Sequence, residues 1–271
     1  MKEKKSQDNL IIEVKKLVKT YNGLKAVDNI SFNVKRGEIF AFLGPNGAGK
    51  TTTIKILTTL TNPSAGTVRI NGYDPVSQEN EVRRSFGIVF QDQSLDDQLT
   101  AFENMDIHGI LYGVPRDLRQ KRIEELLKFV ELWERRNDLI KKFSGGMRRR
   151  LEVARGLLHH PQIFFLDEPT LGLDPQTRTH IWNYIKDLNQ KEKTTIFFTT
   201  HYMEEAEKVA QRIAVIDHGQ IIAIGSAAQL KKQTKTHSLE EAFIALTGYE
   251  IREEEVKEID RGRLMMRARG R

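Results

Sequence analysis

Gly44-Pro45-Asn46-Gly47-Ala48-Gly49-Lys50-Thr51-Thr52 is the stretch on which the reading of this chain turns. It follows the apolar run Ile39-Phe40-Ala41-Phe42-Leu43 and precedes Ile54-Lys55-Ile56-Leu57, a helical pattern. That is the phosphate-loop pattern G-x-x-x-x-G-K-[ST] in the strand–loop–helix setting it requires. Gly44, Gly47 and Gly49 are expected to supply backbone conformations closed to residues with a Cβ, so that successive N–H groups turn inward around phosphate oxygens. The helix that begins there adds unpaired donors and the positive end of its dipole. In such a loop Lys50 reaches the β- and γ-phosphates and the Thr51 hydroxyl ligates Mg²⁺.

Working outward, the 271 residues suffice for one large domain or a domain with a subdomain. Hydrophobic content of 39% and charged content of 30% describe a water-soluble globular chain. No apolar run approaches the roughly 18–20 residues a bilayer crossing needs, and the start, MKEKKSQDNL, lacks the apolar region of a secretory signal. The absence of cysteine excludes disulfides, thiolate metal sites and a cysteine nucleophile, and fits a reducing compartment. A net charge of +6 permits nucleic acid or an anionic membrane as a neighbour, but no aromatic–basic platform or recognition motif accompanies it, so no nucleic-acid partner is expected.

The pattern along the chain is that of an α/β protein. Leu10 to Val18 reads as an edge strand leading to Tyr21, and Ile30 to Val34 alternates at period two before Lys35-Arg36-Gly37. Strands are also expected at Thr67–Ile70 and Phe86–Phe90, the latter ending at Gln91, and a helix over Pro75–Arg84. From Asp92 to Phe143 the strands stop, and Ile123, Leu126, Leu127 and Val130 recur at helical spacing, as in a helical subdomain inserted into an α/β core. Ser144 fits a helix N-cap before Gly145-Gly146-Met147. Ile163–Leu166 and Thr194–Thr200 look like strands of a buried parallel sheet, Pro175 opens a long helix, and Ile213–Ile216 and Ile221–Ile224 flank a His218-Gly219 hairpin. Leu239 to Leu246 is amphipathic at helical spacing.

The strand Ile163–Leu166 delivers two adjacent acids, Asp167 and Glu168, to one sheet edge. In a nucleotide-binding sheet these divide the work, Asp167 holding Mg²⁺ and Glu168 accepting a proton from, or orienting, the attacking water. Phosphate loop, Gln91, Phe143-Ser144-Gly145-Gly146-Met147, Asp167-Glu168, Leu171-Gly172-Leu173-Asp174 and His201 stand in the order and spacing of an ABC ATPase subunit, and the chain resembles that family from Leu10 to Gly225. The resemblance implies a P-loop NTPase core with an antiparallel β subdomain, an ABC ATPase domain over 10–225 with the helical subdomain at about 92–160, and a C-terminal helix and charged tail over 226–271. It implies a head-to-tail dimer with each ATP between the phosphate loop of one subunit and Ser144, Gly145 and Gly146 of the other. By the same likeness Gln91 contacts Mg²⁺ and water, His201 meets the γ-phosphate, Asp174 communicates between the sites, and Tyr21 stacks on adenine. The family's commonest signature reads Leu-Ser-Gly-Gly-Gln; Phe143 and Met147 replace its ends here.

Leu99–Asn104, Phe143–Leu151, Thr200–Ala206 and Ser238–Gly248 further resemble the drug-resistance (daunorubicin-type) exporter ATPases. That likeness implies a peripheral subunit at the cytoplasmic face of the cell membrane, working with a separate integral permease. Both half-sites look complete in this chain, which permits a homodimer. A soluble ABC ATPase of an iron–sulfur assembly complex is the alternative reading. The basic run Arg261, Arg263, Arg267, Arg269 and Arg271 suits either anionic lipid or a solvated tail.

Overall fold

The fold was obtained as a computed structural model, which describes residues 9–248; the basic terminal run and the tail past Gly248 lie outside them. Strands β3 (Ile39–Leu43), β6 (Ile163–Asp167) and β7 (Thr195–Thr200) are buried at every position. Continuous apolar runs of this kind form only where a sheet is covered on both faces. They join β5 (Phe86–Val89), β8 (Arg212–Asp217) and β9 (Gln220–Gly225) in a six-stranded sheet of order β5-β6-β7-β3-β8-β9. All its neighbours pair in parallel except β8 and β9, which form the expected hairpin.

Because side chains alternate across a strand, each run feeds two cores. Phe40, Phe42, Phe165 and Phe197 face one side, where they meet Phe32 and the helix after the phosphate loop, α1 (Lys50–Leu57). The Phe42 and Phe197 ring centroids lie 5.4 Å apart, and Phe32 and Phe42 5.1 Å. Ala41, Leu43, Phe164, Leu166 and Phe198 face the other side, against Ile181, Trp182, Ile185 and Leu188 of a long helix, α6 (Pro175–Glu192). Each fully buried phenylalanine stabilises the fold by about 1.5–3 kcal/mol, so this five-ring layer is a large share of what holds the sheet.

A second, antiparallel sheet of order β2-β1-β4 covers the Phe32 side, with β1 at Leu10–Tyr21, β2 at Leu24–Lys35 and β4 at Ala65–Ile70. The expectation of an edge strand at Leu10–Val18 is corrected here, because β1 lies between its two neighbours. Its charged residues resemble those of an edge because Lys15 and Lys16 face solvent, while Ile11, Ile12, Val14 and Leu17 are buried. After β4 comes a short helix, α2 (Glu79–Ser85), later in the chain than the Pro75 start expected for it.

Between β5 and β6 the described chain is helical and holds no strand: α3 (Ala101–Leu111), α4 (Arg116–Phe129) and α5 (Gly145–Leu157), with two short 3₁₀ turns. They enclose a third core, in which Met105, Ile123, Leu127, Val130, Phe143 and Leu151 are buried. Helix α7 (Met203–Val209) follows β7, and two helices close the described chain: α8 (Ala227–Thr234) and α9 (Leu239–Thr247).

Candidate functional site

Parallel register is what assembles the site. Asp167 of β6 pairs with Thr199 of β7, and Thr199 pairs with Phe42 of β3, so the three strands end level. The next residues along, Gly44, Glu168 and His201, therefore leave the same carboxyl edge of the sheet. Open parallel sheets bind their ligands at that edge.

The phosphate loop turns there into α1, whose N-cap is Gly49 at φ 103°. An L-residue is strained at that angle, and a Cβ would also come within 2.5 Å of the Ala26 carbonyl oxygen. Gly44 is required for a different reason from the one expected: its φ is not left-handed, but a Cβ would lie 2.2 Å from the Ile216 carbonyl oxygen. Gly49 has no side chain to cap α1, which leaves the first-turn N–H groups for an anion. A cavity of about 210 Å³ opens in front of them, lined by Pro45, Asn46, Gly47, Gly49 and Lys50 to Thr52, with Ala26, Gln91 and Glu168.

Behind the loop the charged groups are buried and joined. Lys50 Nζ donates to the carbonyl oxygens of Gly44 (2.7 Å) and Pro45 (3.0 Å) and lies 3.1 Å from Glu168 Oε1. The other Glu168 oxygen is 2.6 Å from His201 Nδ1. Burial pushes the Glu168 carboxyl up, but the His201 hydrogen bond and the charges of Lys50 and His201 outweigh it and hold the group below the usual carboxylate range. Glu168 is thus an anion held between two cations or donors. Its backbone sits at φ 48°, a left-handed value that costs a non-glycine residue about 1–2 kcal/mol. Its N–H is anchored on Thr199 Oγ1 at 3.0 Å.

Asp167 is 1% exposed, and burial pushes its carboxyl above the usual range, against hydrogen bonds from Thr199 Oγ1 (2.6 Å) and Thr51 Oγ1 (3.4 Å). A carboxylate raised by burial gains most from a cation placed beside it. Asp167, Thr51 and Gln91 offer only hard oxygen donors, too few for an all-protein cage, which fits Mg²⁺ shared with phosphates and water. Thr199 was passed over in the sequence, where it is one of two adjacent threonines; only the β6–β7 register shows that it serves both acids.

The remaining candidates are distributed differently. Ser144 caps α5, its Oγ accepting from Met147 N at 3.3 Å, and Ser144 and Gly145 are exposed. Asp174 caps α6, accepting from the Gln176 and Thr177 N–H groups and from Thr177 Oγ1 at 2.6 Å, which hold its carboxyl below the usual range. The two caps are neighbours: a Cβ on Gly146 would meet Thr177 Cγ2 at 2.8 Å. Neither Ser144–Gly146 nor Asp174 nor His201 lines the phosphate-loop cavity. Tyr21 ends β1, 44% exposed with Lys19 Nζ 4.8 Å over its ring, and is not in the cavity wall either; Ala26, further along the same hairpin, is. Among the described residues no helix is long and apolar enough to cross a membrane.

A family model described as ABC transporter matches residues 27–171. The chain is 43% identical over 234 residues to the daunorubicin/doxorubicin resistance ATP-binding protein of Streptomyces peucetius, covering 86% of this chain and 71% of the relative. It is 43% identical over 220 residues to the Nod factor export ATP-binding protein I of Ralstonia nicotianae, covering 81% and 68%. Among solved structures, the dimeric post-hydrolysis state of the ATP-binding cassette MJ0796, bound to ADP and Pi, superposes with a TM-score of 0.72 at 31% identity, covering 79% of this chain and 98% of that one.

Proposed function

From the premise that this chain belongs to the ABC transporter family of ATP-binding subunits, we propose that it drives export of a small drug-like or lipid-like molecule through a separate membrane permease. The likeness to drug-resistance and Nod factor export subunits supports that direction of transport. Two copies would close on ATP at the cytoplasmic face of the membrane and separate after hydrolysis.

The observation that carries the reading is the buried Lys50–Glu168–His201 cluster, in which Lys50 and Glu168 line the cavity and His201 stands behind Glu168. The phosphate loop from Gly44 to Thr52 and the start of α1 bind the triphosphate through backbone N–H groups, and Lys50 moves its charge from Glu168 toward the phosphates. Asp167, Thr51 and Gln91 would hold Mg²⁺, which when bound would neutralise charge on the phosphate oxygens. Glu168, kept ionised by its neighbours, takes the proton of the attacking water. His201 fixes the Glu168 carboxylate through Nδ1 and, by the family likeness, meets the γ-phosphate once ATP is bound. Ser144 with the Gly145 and Gly146 backbone serves the nucleotide of the partner subunit, since this chain's own cavity does not include it. By the family likeness Tyr21 stacks on adenine, and Asp174, capping the helix next to the signature, links the two sites. The helical region of about 92–160 carries the motion to the permease.

Sizing of purified Glu168→Gln by light scattering, with and without ATP, tests this. An ATP-dependent shift from monomer to dimer is expected. A variant that binds ATP and stays monomeric would remove the two-copy arrangement and require a different second subunit.

A further inference from the structure

Helix α5 does more than present Ser144. One and a half turns into it, Arg149 and Glu152 form an ion pair at 3.1 Å with exposures of 6% and 1%. Both are turned onto the chain that leaves β5. Arg149 donates through Nη1 to the Phe90 carbonyl oxygen at 2.5 Å and through Nη2 to the Gln91 carbonyl oxygen at 3.1 Å. Glu152 Oε1 accepts from the Ser94 N–H at 2.7 Å and from its hydroxyl at 3.2 Å. Arg155 reinforces the grip through the Ser94 carbonyl oxygen at 2.7 Å.

A buried ion pair is a poor way to gain stability, because desolvation offsets the attraction and an apolar pair of similar volume does as well or better. Its use is geometric. A guanidinium fork on two successive carbonyl oxygens fixes the peptide planes on either side of Gln91. Gln91 lines the phosphate-loop cavity, while Ser144 lies about 7.5 Å up the same helix axis at 1.5 Å per residue. One rigid rod therefore carries the signature and holds the loop that bears the cavity's glutamine.

We propose that Arg149 and Glu152 are positioning residues that lock Gln91 to the signature helix, so that the orientation of α5 sets whether Gln91 stands at the Mg²⁺ and water side of the cavity. The inference rests on the role given to Gln91 above. It assigns to an internal ion pair the coupling between a subunit's own nucleotide and the surface it offers to its partner.

The test uses the full chain with Arg149→Lys, the Arg149→Met/Glu152→Met pair, Gln91→Ala, and Gln91→Ala combined with Arg149→Lys. Lysine keeps the charge beside Glu152 but cannot fork to two carbonyls, and the methionine pair leaves no unpaired buried charge. The readouts are kcat against free Mg²⁺, and ATP affinity without Mg²⁺. Both Arg149 variants are expected to lose roughly 10- to 100-fold in kcat, as misplacement of a reacting group does. They should need more Mg²⁺, with Mg²⁺-free ATP affinity unchanged, and Gln91→Ala should add nothing to Arg149→Lys. Wild-type kcat and Mg²⁺ dependence in both Arg149 variants, or losses that multiply with Gln91→Ala, would overturn the inference. So would collapse of Mg²⁺-free ATP binding in both, which marks the pair as purely structural. If Gln91→Ala is itself unaffected, the role of Gln91 falls and the inference with it; if Gln91→Ala is impaired while the Arg149 variants are not, the inference alone falls.

Discussion

Lys50, Asp167, Glu168 and His201 are 1–7% exposed, whereas Ser144 and Gly145 lie open on the surface at the start of α5. The first group is delivered by level strand ends in the middle of a parallel sheet and, for Lys50, by the helix after the phosphate loop, and every member is hydrogen-bonded or ion-paired to another part of the site. The second is a helix cap on a separate helical core, with Ser144 and Gly145 exposed. A buried charged network must be satisfied within its own chain, because each unpaired charge there costs several kcal/mol. An exposed helix N-terminus needs no partner to be stable, and is for that reason free to take one from a second subunit. The proposed chemistry is thus built into the chain, and the proposed pairing element is left at the surface.

Variants on the two sides should break this contrast to different degrees. Glu168→Gln should have the largest effect, slowing hydrolysis about 10²- to 10⁴-fold while MgATP still binds, as loss of a general base does. Single-turnover phosphate release measures it, and near-normal turnover would take the base role from Glu168.

Thr199→Val comes next. It keeps shape but leaves the Glu168 N–H without its acceptor and Asp167 without a 2.6 Å donor, each worth about 1–3 kcal/mol. A fall in thermal midpoint together with weaker Mg²⁺ dependence of hydrolysis is expected; an unchanged midpoint would mean the network is slack.

On the exposed side, Ser144→Ala should cost the fold only about 1 kcal/mol, the worth of a helix cap. ATP binding by the monomer should persist because Ser144 does not line the cavity, while ATP-driven pairing in the Glu168→Gln background weakens. Equal pairing with and without the hydroxyl would reduce Ser144 to a cap.

The last expected effect, a test of stability and not of activity, concerns pH and the seam between the helical region and the sheet. Burial, with the Arg155 charge and His159 adding to it, pushes His108 down to about 3; burial likewise pushes His159 to about 4, against its hydrogen bond to the Phe86 carbonyl oxygen. Tyr112 stacks on His159 at 3.9 Å and lies 4.7 Å from His108. Folded, both rings stay neutral; unfolded, they take up protons below the ordinary imidazole value of about 6.5. The unfolded chain then binds more protons, so stability falls as pH drops from about 6.5 toward 4. Thermal midpoints across that range should fall less steeply in His108→Gln, and parallel curves would show that His108 does not contribute.

Much of this is legible in the sequence alone. Gly44–Thr52 between an apolar run and a helical pattern, and Asp167-Glu168 after four apolar residues, name the chemistry because each motif is local. Helix α8 is legible too, though no helix was expected there, and so is the start of α3 inside the expected helical subdomain: Ser226 and Gln229, and Thr100 and Glu103, form capping boxes that a search for S/T-x-x-E/Q finds. The place of β1 could not be read, because charged side chains on a strand's solvent face look the same at an edge or between two neighbours.

The sequence by itself determined the phosphate loop, the two acids, the switch from sheet to helices after Gln91 and the Ser144 cap, since each depends on residues within a few positions of one another. Only the tertiary structure decided that Thr199 braces both acids, that Glu168 lies between Lys50 and His201, and that Arg149 and Glu152 hold the Gln91 loop. Those contacts join residues 31 to 118 positions apart or, for the Gln91 loop, 58. Parallel register and helix packing set such pairings, and neither leaves a mark in the local pattern.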